Sequence, residues 1–272
     1  EVRTVTTSEK IKPEQSVLVE VRADAVWITL NRPTALNAIT PDMVAGITTA
    51  LTHADDPAIK AVVLMGTGRA FCAGADLKYV NSATQGDAPA ATRFLDAVLD
   101  MMARLETCPR PVIAAVNGLA LAGGLELVLC CDLVIAARSA KLGDAHANFG
   151  LLPGGGSSVR LPRKIGPTRA KYLLFTGDFV PADDLVACGL VNEVVDDAEL
   201  TAAVERLAAK LGSKSSLVLR RMKALVADGL EQPKEVALRL ELLASEVHAH
   251  SHDMKEGLAA FEQKRKPSFI GR

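Results

Sequence analysis

Pro111-Val112-Ile113-Ala114-Ala115-Val116-Asn117-Gly118-Leu119-Ala120-Leu121-Ala122-Gly123-Gly124-Leu125-Glu126-Leu127 reads as a strand, a turn of small residues and an apolar helix that begins on paired glycines. The run Val112 to Val116 has no polar residue, as a strand covered on both faces requires. The same grammar precedes it at Ala61-Val62-Val63-Leu64-Met65, closed by Gly66, and follows it at Asp132-Leu133-Val134-Ile135-Ala136. Upstream, Val17 to Val21 and Ala25 to Leu30 are β-branched runs separated by Arg22-Ala23-Asp24, which suits a hairpin. Met43, Ile47, Leu51 and Ala54 then fall at helical spacing over 41–56, with Thr40 placed to cap the helix and Pro41 at its first position. Strands alternating with helices predict an α/β core.

Downstream of about residue 160 the pattern turns helical, over 168–175, 181–188, 198–211, 215–228 and 233–250, with one strand predicted at 190–195. Residues 1–15 are polar and aperiodic and read as a flexible start. The segment Asn81 to Ala90 is rich in small and polar residues and reads as a loose loop, either a flap beside a site or ordinary surface.

At 272 residues and 49% apolar, the chain can bury a large core. Its 31 Lys and Arg against 32 Asp and Glu leave a net charge of -1, so no overall positive field invites nucleic acid. The five cysteines are odd in number, lack a CxxC pair and lie mostly in apolar runs, which points to a reducing, cytoplasmic setting without disulfide or zinc. Apolar stretches such as Pro111 to Leu121 are too short to span a bilayer, and Glu1-Val2-Arg3 begins no signal-peptide core.

Three glycine turns follow strands. Gly66-Thr67-Gly68-Arg69-Ala70-Phe71 starts a dinucleotide fingerprint, but Phe71 stands where the third small residue belongs. Asp87 has the spacing of a ribose partner without the strand-end context. Gly74-Ala75-Asp76 instead opens a helix whose first N–H groups would face a negative oxygen. In the second turn Glu126 sits among Leu125, Leu127, Val128 and Leu129; it is either a carboxylate whose pKa burial raises into the acid/base range or a first-turn residue stabilised by the helix dipole. The third, Pro153-Gly154-Gly155-Gly156-Ser157-Ser158, is neither a P-loop nor a nucleophile elbow. Before it His146 stands between Asp144 and Asn148, as a structural residue or a catalyst. His248 and His252 share a helix face, and Lys264-Arg265-Lys266 forms a basic cluster, both read as solvated surface.

Together these segments resemble the enoyl-CoA hydratase/isomerase (crotonase) superfamily. The likeness runs from Asn31-Arg32-Pro33-Thr34-Ala35-Leu36-Asn37-Ala38 through Ala70-Phe71-Cys72-Ala73-Gly74-Ala75-Asp76-Leu77, Ala122-Gly123-Gly124-Leu125-Glu126-Leu127 and Pro153-Gly154-Gly155-Gly156 to Lys255-Glu256-Gly257-Leu258-Ala259-Ala260-Phe261. It implies an α/β fold: a crotonase-like spiral of ββα repeats over 16–197 and a helical C-terminal trimerisation layer over 198–272, assembled as a homotrimer or a dimer of trimers. It implies an acyl-CoA substrate and no cofactor beyond the coenzyme A that the substrate carries.

By motif position the resemblance gives the oxyanion hole to the backbone N–H groups of Ala75 and Gly123. Such donors stabilise the charge that develops on a thioester oxygen in an enolate. It also implies CoA contacts from the backbone at Ala35 and Ala73 and the side chains of Lys78, Phe261 and Lys264, the last two from a neighbouring subunit. Thr34 stands where hydratases often carry a phosphate-binding Lys, so Arg32 or other groups are expected to compensate. Of the two catalytic glutamates of the hydratases, Glu126 matches the first, and His146 occupies the place of the second. Imidazole can exchange a proton near neutral pH. The expected activity is hydration of a 2-enoyl-CoA by Glu126 and His146; the alternatives are an isomerase, a thioester or C–C hydrolase, or an acyl-CoA-binding protein with an impaired site.

Overall fold

A computed structural model of the chain describes residues 15–86 and 88–272. The first two strands, β1 (Val17–Arg22) and β2 (Ala25–Leu30), form the expected antiparallel hairpin. Helix α1 (Pro41–Leu51) follows, its N-terminus capped by the Thr40 side chain, which accepts from the Met43 N–H, and its Met43, Val44, Ile47, Ala50 and Leu51 face buried.

Three units of two strands and a helical segment come next. In the first, β3 (Ala61–Gly66) and β4 (Ala70–Cys72) lead into α2 (Leu77–Gly86) and α3 (Ala88–Glu106). In the second, β5 (Val112–Val116) and β6 (Leu119–Leu121) lead into α4 (Gly123–Leu129). In the third, β7 (Leu133–Ala137) and β8 (Lys141–Gly143) lead into α5 (Ser157–Ile165) and α6 (Pro167–Thr176). The first strand of each unit joins a six-stranded sheet and the second joins a four-stranded sheet. With β9 (Val180–Pro181) and β10 (Glu193–Val195), the sheet orders are β1-β2-β3-β5-β7-β10 and β4-β6-β8-β9. All pairings from β2 to β10 in the larger sheet are parallel. Each unit therefore advances both sheets by one strand, which is the ββα spiral.

The parallel strands explain the apolar runs. Val62, Val63, Leu64 and every residue of β5 are solvent-free, as strands covered on both faces must be. Tight glycines set the strand spacing: a Cβ on Gly66 would run into the Ala70 and Phe71 carbonyls. The broken dinucleotide pattern is thus a strand-packing device.

The C-terminal region is helical as expected: α7 (Leu200–Gly212), α8 (Ser216–Leu230), α9 (Lys234–His248) and α10 (His252–Glu262). Leu200, Ala203 and Val204 of α7 are buried in the core against β3, β5 and β7. Among the described residues no helix is long and apolar enough to cross a membrane.

Two expectations are corrected. Residues 81–86 and 88–90 belong to α2 and α3 and form no loose loop. Small and polar residues are compatible with a helix when a neighbouring apolar face is buried, and here Ala83, Phe94, Val98, Met101, Met102 and Leu105 supply it. Tyr79 and Phe94 clamp the two helices edge-to-face at 5.1 Å. The stretch 181–188 forms the end of β9 and a 3-10 turn, Ala182–Leu185, because the Ala182 N–H bonds the Ala140 carbonyl beside β8. The flexible start expected over 1–15 and the position of Asp87 lie, except for residue 15, outside the described residues.

Candidate active site

The β4-to-α2 and β6-to-α4 turns meet. Gly74 takes φ +101°, and a Cβ there would lie 3.2 Å from the Gly123 N; a Cβ on Gly123 would lie 3.3 Å from Gly74 Cα and 3.4 Å from the Ala75 N. Ile39 pairs alongside: its N–H donates to the Gly74 carbonyl and its carbonyl accepts from Asp76. This ladder skips the Ala75 N–H. Gly123 is the first residue of α4, whose leading N–H groups have no intrahelical partner. Among the described residues neither the Ala75 nor the Gly123 N–H has a hydrogen-bond acceptor. Two unspent donors on touching turns suit a developing oxyanion.

Helix α4 is buried along its whole length, and Glu126 is 3% exposed. Its Oε1 accepts from the Gly155 N–H at 2.9 Å and the Ser157 N–H at 3.0 Å, so the glycine turn before α5 is a cradle for this carboxylate. Burial pushes the Glu126 pKa up; the Ser157 bond, the charge of His146 and the Gly155 bond pull it down without cancelling the rise. The turn is itself braced: Arg160 donates from Nη1 to the Gly155 carbonyl at 2.6 Å and grips both oxygens of Glu106 through Nε and Nη2 at 2.7 and 2.6 Å.

His146 follows β8 by three residues, with its side chain 13% exposed. Its Nδ1 lies 3.0 Å from Asp144 Oδ1. Burial alone would lower the pKa of the ring, but the hydrogen bond and charge of Asp144 and the charge of Glu126 outweigh it and raise the pKa. The structure therefore gathers Glu126, His146 and the N–H groups of Ala75 and Gly123 around neighbouring strand ends. Sequence reasoning marks Asp144 only as a flank of His146, and it does not find the Gly155 and Ser157 donors or the Arg160–Glu106 brace, which carry no local signal.

A cleft of about 850 Å³ opens beside these turns, lined by Asn31 to Ala35, Thr40 to Asp42 and Tyr79. Ala35 is in its wall, and Lys78 is exposed on the adjoining turn of α2. Ala73 is half-buried and bonds the Leu36 carbonyl through its N–H. Arg32 also lines this cleft; its guanidinium donates to Asp76 at 2.9 Å and to the Ala38 carbonyl at 2.6 Å, fastening this loop to the start of α2. Phe261 is 84% exposed and Lys264 exposed near the end of α10, with no hydrogen bond or ion pair to the cleft among the described residues. Arg265 of the basic cluster is spent on Glu256, at 2.6 and 2.8 Å. His248 Nδ1 meets Arg221 at 2.7 Å, and no metal-ligand cluster exists among the described residues.

A family model for enoyl-CoA hydratase/isomerase matches residues 20–272. The crotonyl-CoA hydratase of Syntrophomonas wolfei is 38% identical over 261 residues, covering 95% of this chain and 99% of that protein. The 1,2-epoxyphenylacetyl-CoA isomerase of Escherichia coli is 35% identical over 261 residues, covering 94% and 98%. The crystal structure of an enoyl-CoA hydratase from Bacillus anthracis superposes with a TM-score of 0.89 at 35% identity, over 95% of this chain and all of that one. The spiral, the paired turns and these likenesses agree, and the chain belongs to the enoyl-CoA hydratase/isomerase family.

Proposed function

We propose that the protein adds water across the double bond of a 2-enoyl-CoA. The observation that carries this reading is Glu126: a buried carboxylate with Oε1 pinned by two backbone donors, Oε2 left over, and a raised pKa. A base so placed can take a proton from water near neutral pH. The thioester oxygen would rest on the N–H groups of Ala75 and Gly123, where negative charge accumulates as hydroxide adds to the β carbon. His146 supplies the proton for the α carbon. The coenzyme A nucleotide would lie along the Ala35 cleft and near Ala73 and Lys78, with Phe261 and Lys264 reaching it from a neighbouring subunit of a trimer or dimer of trimers. Exposed Met222, Val226, Leu238, Leu242, Leu243 and Val247 on α8 and α9 support such an assembly. The unpaired thiols, four of them buried, support a reducing compartment such as the cytoplasm.

Crotonyl-CoA and longer or aromatic 2-enoyl-CoAs are the test substrates. Wild type should yield products one water heavier, and Glu126→Gln should lower kcat by about 10²–10⁴-fold while still binding acyl-CoA. Products of unchanged mass would replace hydration by isomerisation, the activity in the name of the Escherichia coli relative. Tight acyl-CoA binding with no turnover of any of these substrates would sink the catalytic reading.

A further inference from the structure

Asp144 is the least accounted-for charge near the site. It is 1% exposed, and every hydrogen bond recorded for its side chain goes to His146: Oδ1 takes the ring Nδ1 at 3.0 Å and, at 3.3 Å, the backbone N–H. Oδ2 is buried without a partner among the described residues. A half-satisfied buried carboxylate weakens a fold, so its presence calls for a local use. The backbone is bent to serve the same contact. Ala145 is left-handed at φ +61°, ψ -16°, and the His146 N–H closes onto the Asp144 carbonyl at 2.8 Å, bringing the two side chains to one side of a three-residue turn. No other acceptor or donor is recorded for the ring among the described residues, so Nε2 is unspent.

We propose that Asp144 is a positioning residue, which holds His146 by Nδ1–H and so makes Nε2–H the group that delivers a proton to the α carbon. This rests on the hydration reading above. Glu126 takes a proton from water as the water oxygen bonds to the β carbon, and the C=C electron pair moves toward the thioester carbonyl. The enolate then collapses, its electron pair forming a Cα–H bond with the proton from Nε2, which leaves His146 neutral and Glu126 protonated. Exchange with solvent returns the proton from Glu126 to His146, so the sum is one added water with no oxidation or reduction. The titratable groups facing His146 are Asp144, on its own turn, and Glu126, from α4; both favour the charged ring against burial, and an acid in this role must start protonated.

The test compares wild type, Asp144→Asn, His146→Ala and the double variant, with 15N-labelled imidazole titrations read alongside kinetics. In Asp144→Asn the titration of His146 should move to lower pH. The alkaline fall in kcat should move the same way, with kcat lowered about 10²–10³-fold and KM little changed. The double variant should turn over no more slowly than His146→Ala. An unmoved imidazole titration, an unmoved pH profile, or losses that multiply in the double variant would overturn the proposal. So would an Asp144→Asn protein that loses cooperative unfolding and acyl-CoA binding, since Asp144 would then be a scaffold residue. A wild type inert toward every enoyl-CoA, with the titration shift present, would overturn the hydration reading and leave the orienting contact standing.

Discussion

Gly124→Ala is the sharpest mechanical test of how the two candidate oxyanion donors are held. A Cβ at this position would sit 2.7 Å from the Cys72 carbonyl carbon, 3.0 Å from Cys72 Cβ and closer still to the Cys72 oxygen. The oxygen and carbonyl carbon belong to the backbone of a buried strand, β4, which also fixes the Cβ, so none of them can swing aside. Non-bonded carbon atoms rest at about 3.5–4.0 Å, so α4 must retreat from β4 by about 1 Å. The added methyl gains up to about 1 kcal/mol of helix propensity. Overpacking costs about 1–3 kcal/mol, leaving a modest net loss of stability. The kinetic effect is larger, because Gly123 rides on α4 and Ala75 on the turn that follows β4; displacing one donor from the other by about 1 Å costs about 10²-fold in rate. The assay is kcat on the best enoyl-CoA beside a urea melt of the same protein. A Gly124→Ala enzyme with wild-type kcat and an unchanged melt would refute the claim that this close approach sets the donor spacing.

The remaining predictions concern supports of the site and of the C-terminus. Arg160→Lys keeps a positive charge but loses the fork on Glu106 and the bond to the Gly155 carbonyl; kcat should fall by about tenfold and stability by about 1–2 kcal/mol, and a variant unchanged in both kinetics and denaturant midpoint would remove Arg160 from the Glu126 cradle. Asp253 is buried and collects the Ser215 hydroxyl and the N–H groups of Ile270 and Gly271, tying the last residues to the start of α8. Burial works against its charge, but those bonds win and hold its pKa below the ordinary aspartate value of 3.8. The stabilisation is therefore complete above that value and is lost as the pH falls through the lowered pKa. Asp253→Asn should cost about 1–3 kcal/mol at pH 7 and converge on wild type in acid, checked by urea unfolding at both pH values; a penalty that persists in acid would refute the charge argument.

Much of the spiral was legible because parallel strands buried on both faces must be apolar throughout, and their ends must turn on small residues. Val112 to Val116 and Ala61 to Met65 announced themselves in that way, as did Thr40-Pro41 at the head of α1. Segment 81–90 misled because its own residues are weakly patterned; its helical state is decided by the apolar stripe of α3 and by Tyr79 meeting Phe94, both outside the segment. Glu126 was visible as a charge among leucines. Its cradle was not, because backbone N–H groups leave no mark in side-chain chemistry and only the fold brings Gly155 and Ser157 to α4. Arg32 is similar: its tie to Asp76, distant in sequence, fastens the cleft loop to the start of α2 and leaves no trace in the local sequence.

Backbone strain offers an independent view of which residues the fold is built to present. L-residues rarely hold positive φ, and doing so costs about 1–3 kcal/mol each unless the surroundings enforce it. Ala23 aside, the non-glycine residues that do so among those described are Leu36, Asn37, Ala122, Ala145 and Lys264. Ala122, at φ +49° and ψ -118°, directly precedes Gly123 and frees its N–H; Ala145 directly precedes His146 and folds it onto Asp144. Leu36 and Asn37 close the loop that adjoins the cleft and receives the Ala73 N–H. Elsewhere in the site the same backbone region is occupied by glycine, at Gly74 before Ala75 and at Gly156 in the Glu126 cradle. Alanine is strained in this region where glycine is not, so at positions 122 and 145 the surrounding structure must enforce the bend. The strain at Ala122 and Ala145 thus falls beside the candidate site: before Gly123, which touches Ala75, and before His146, which meets Asp144.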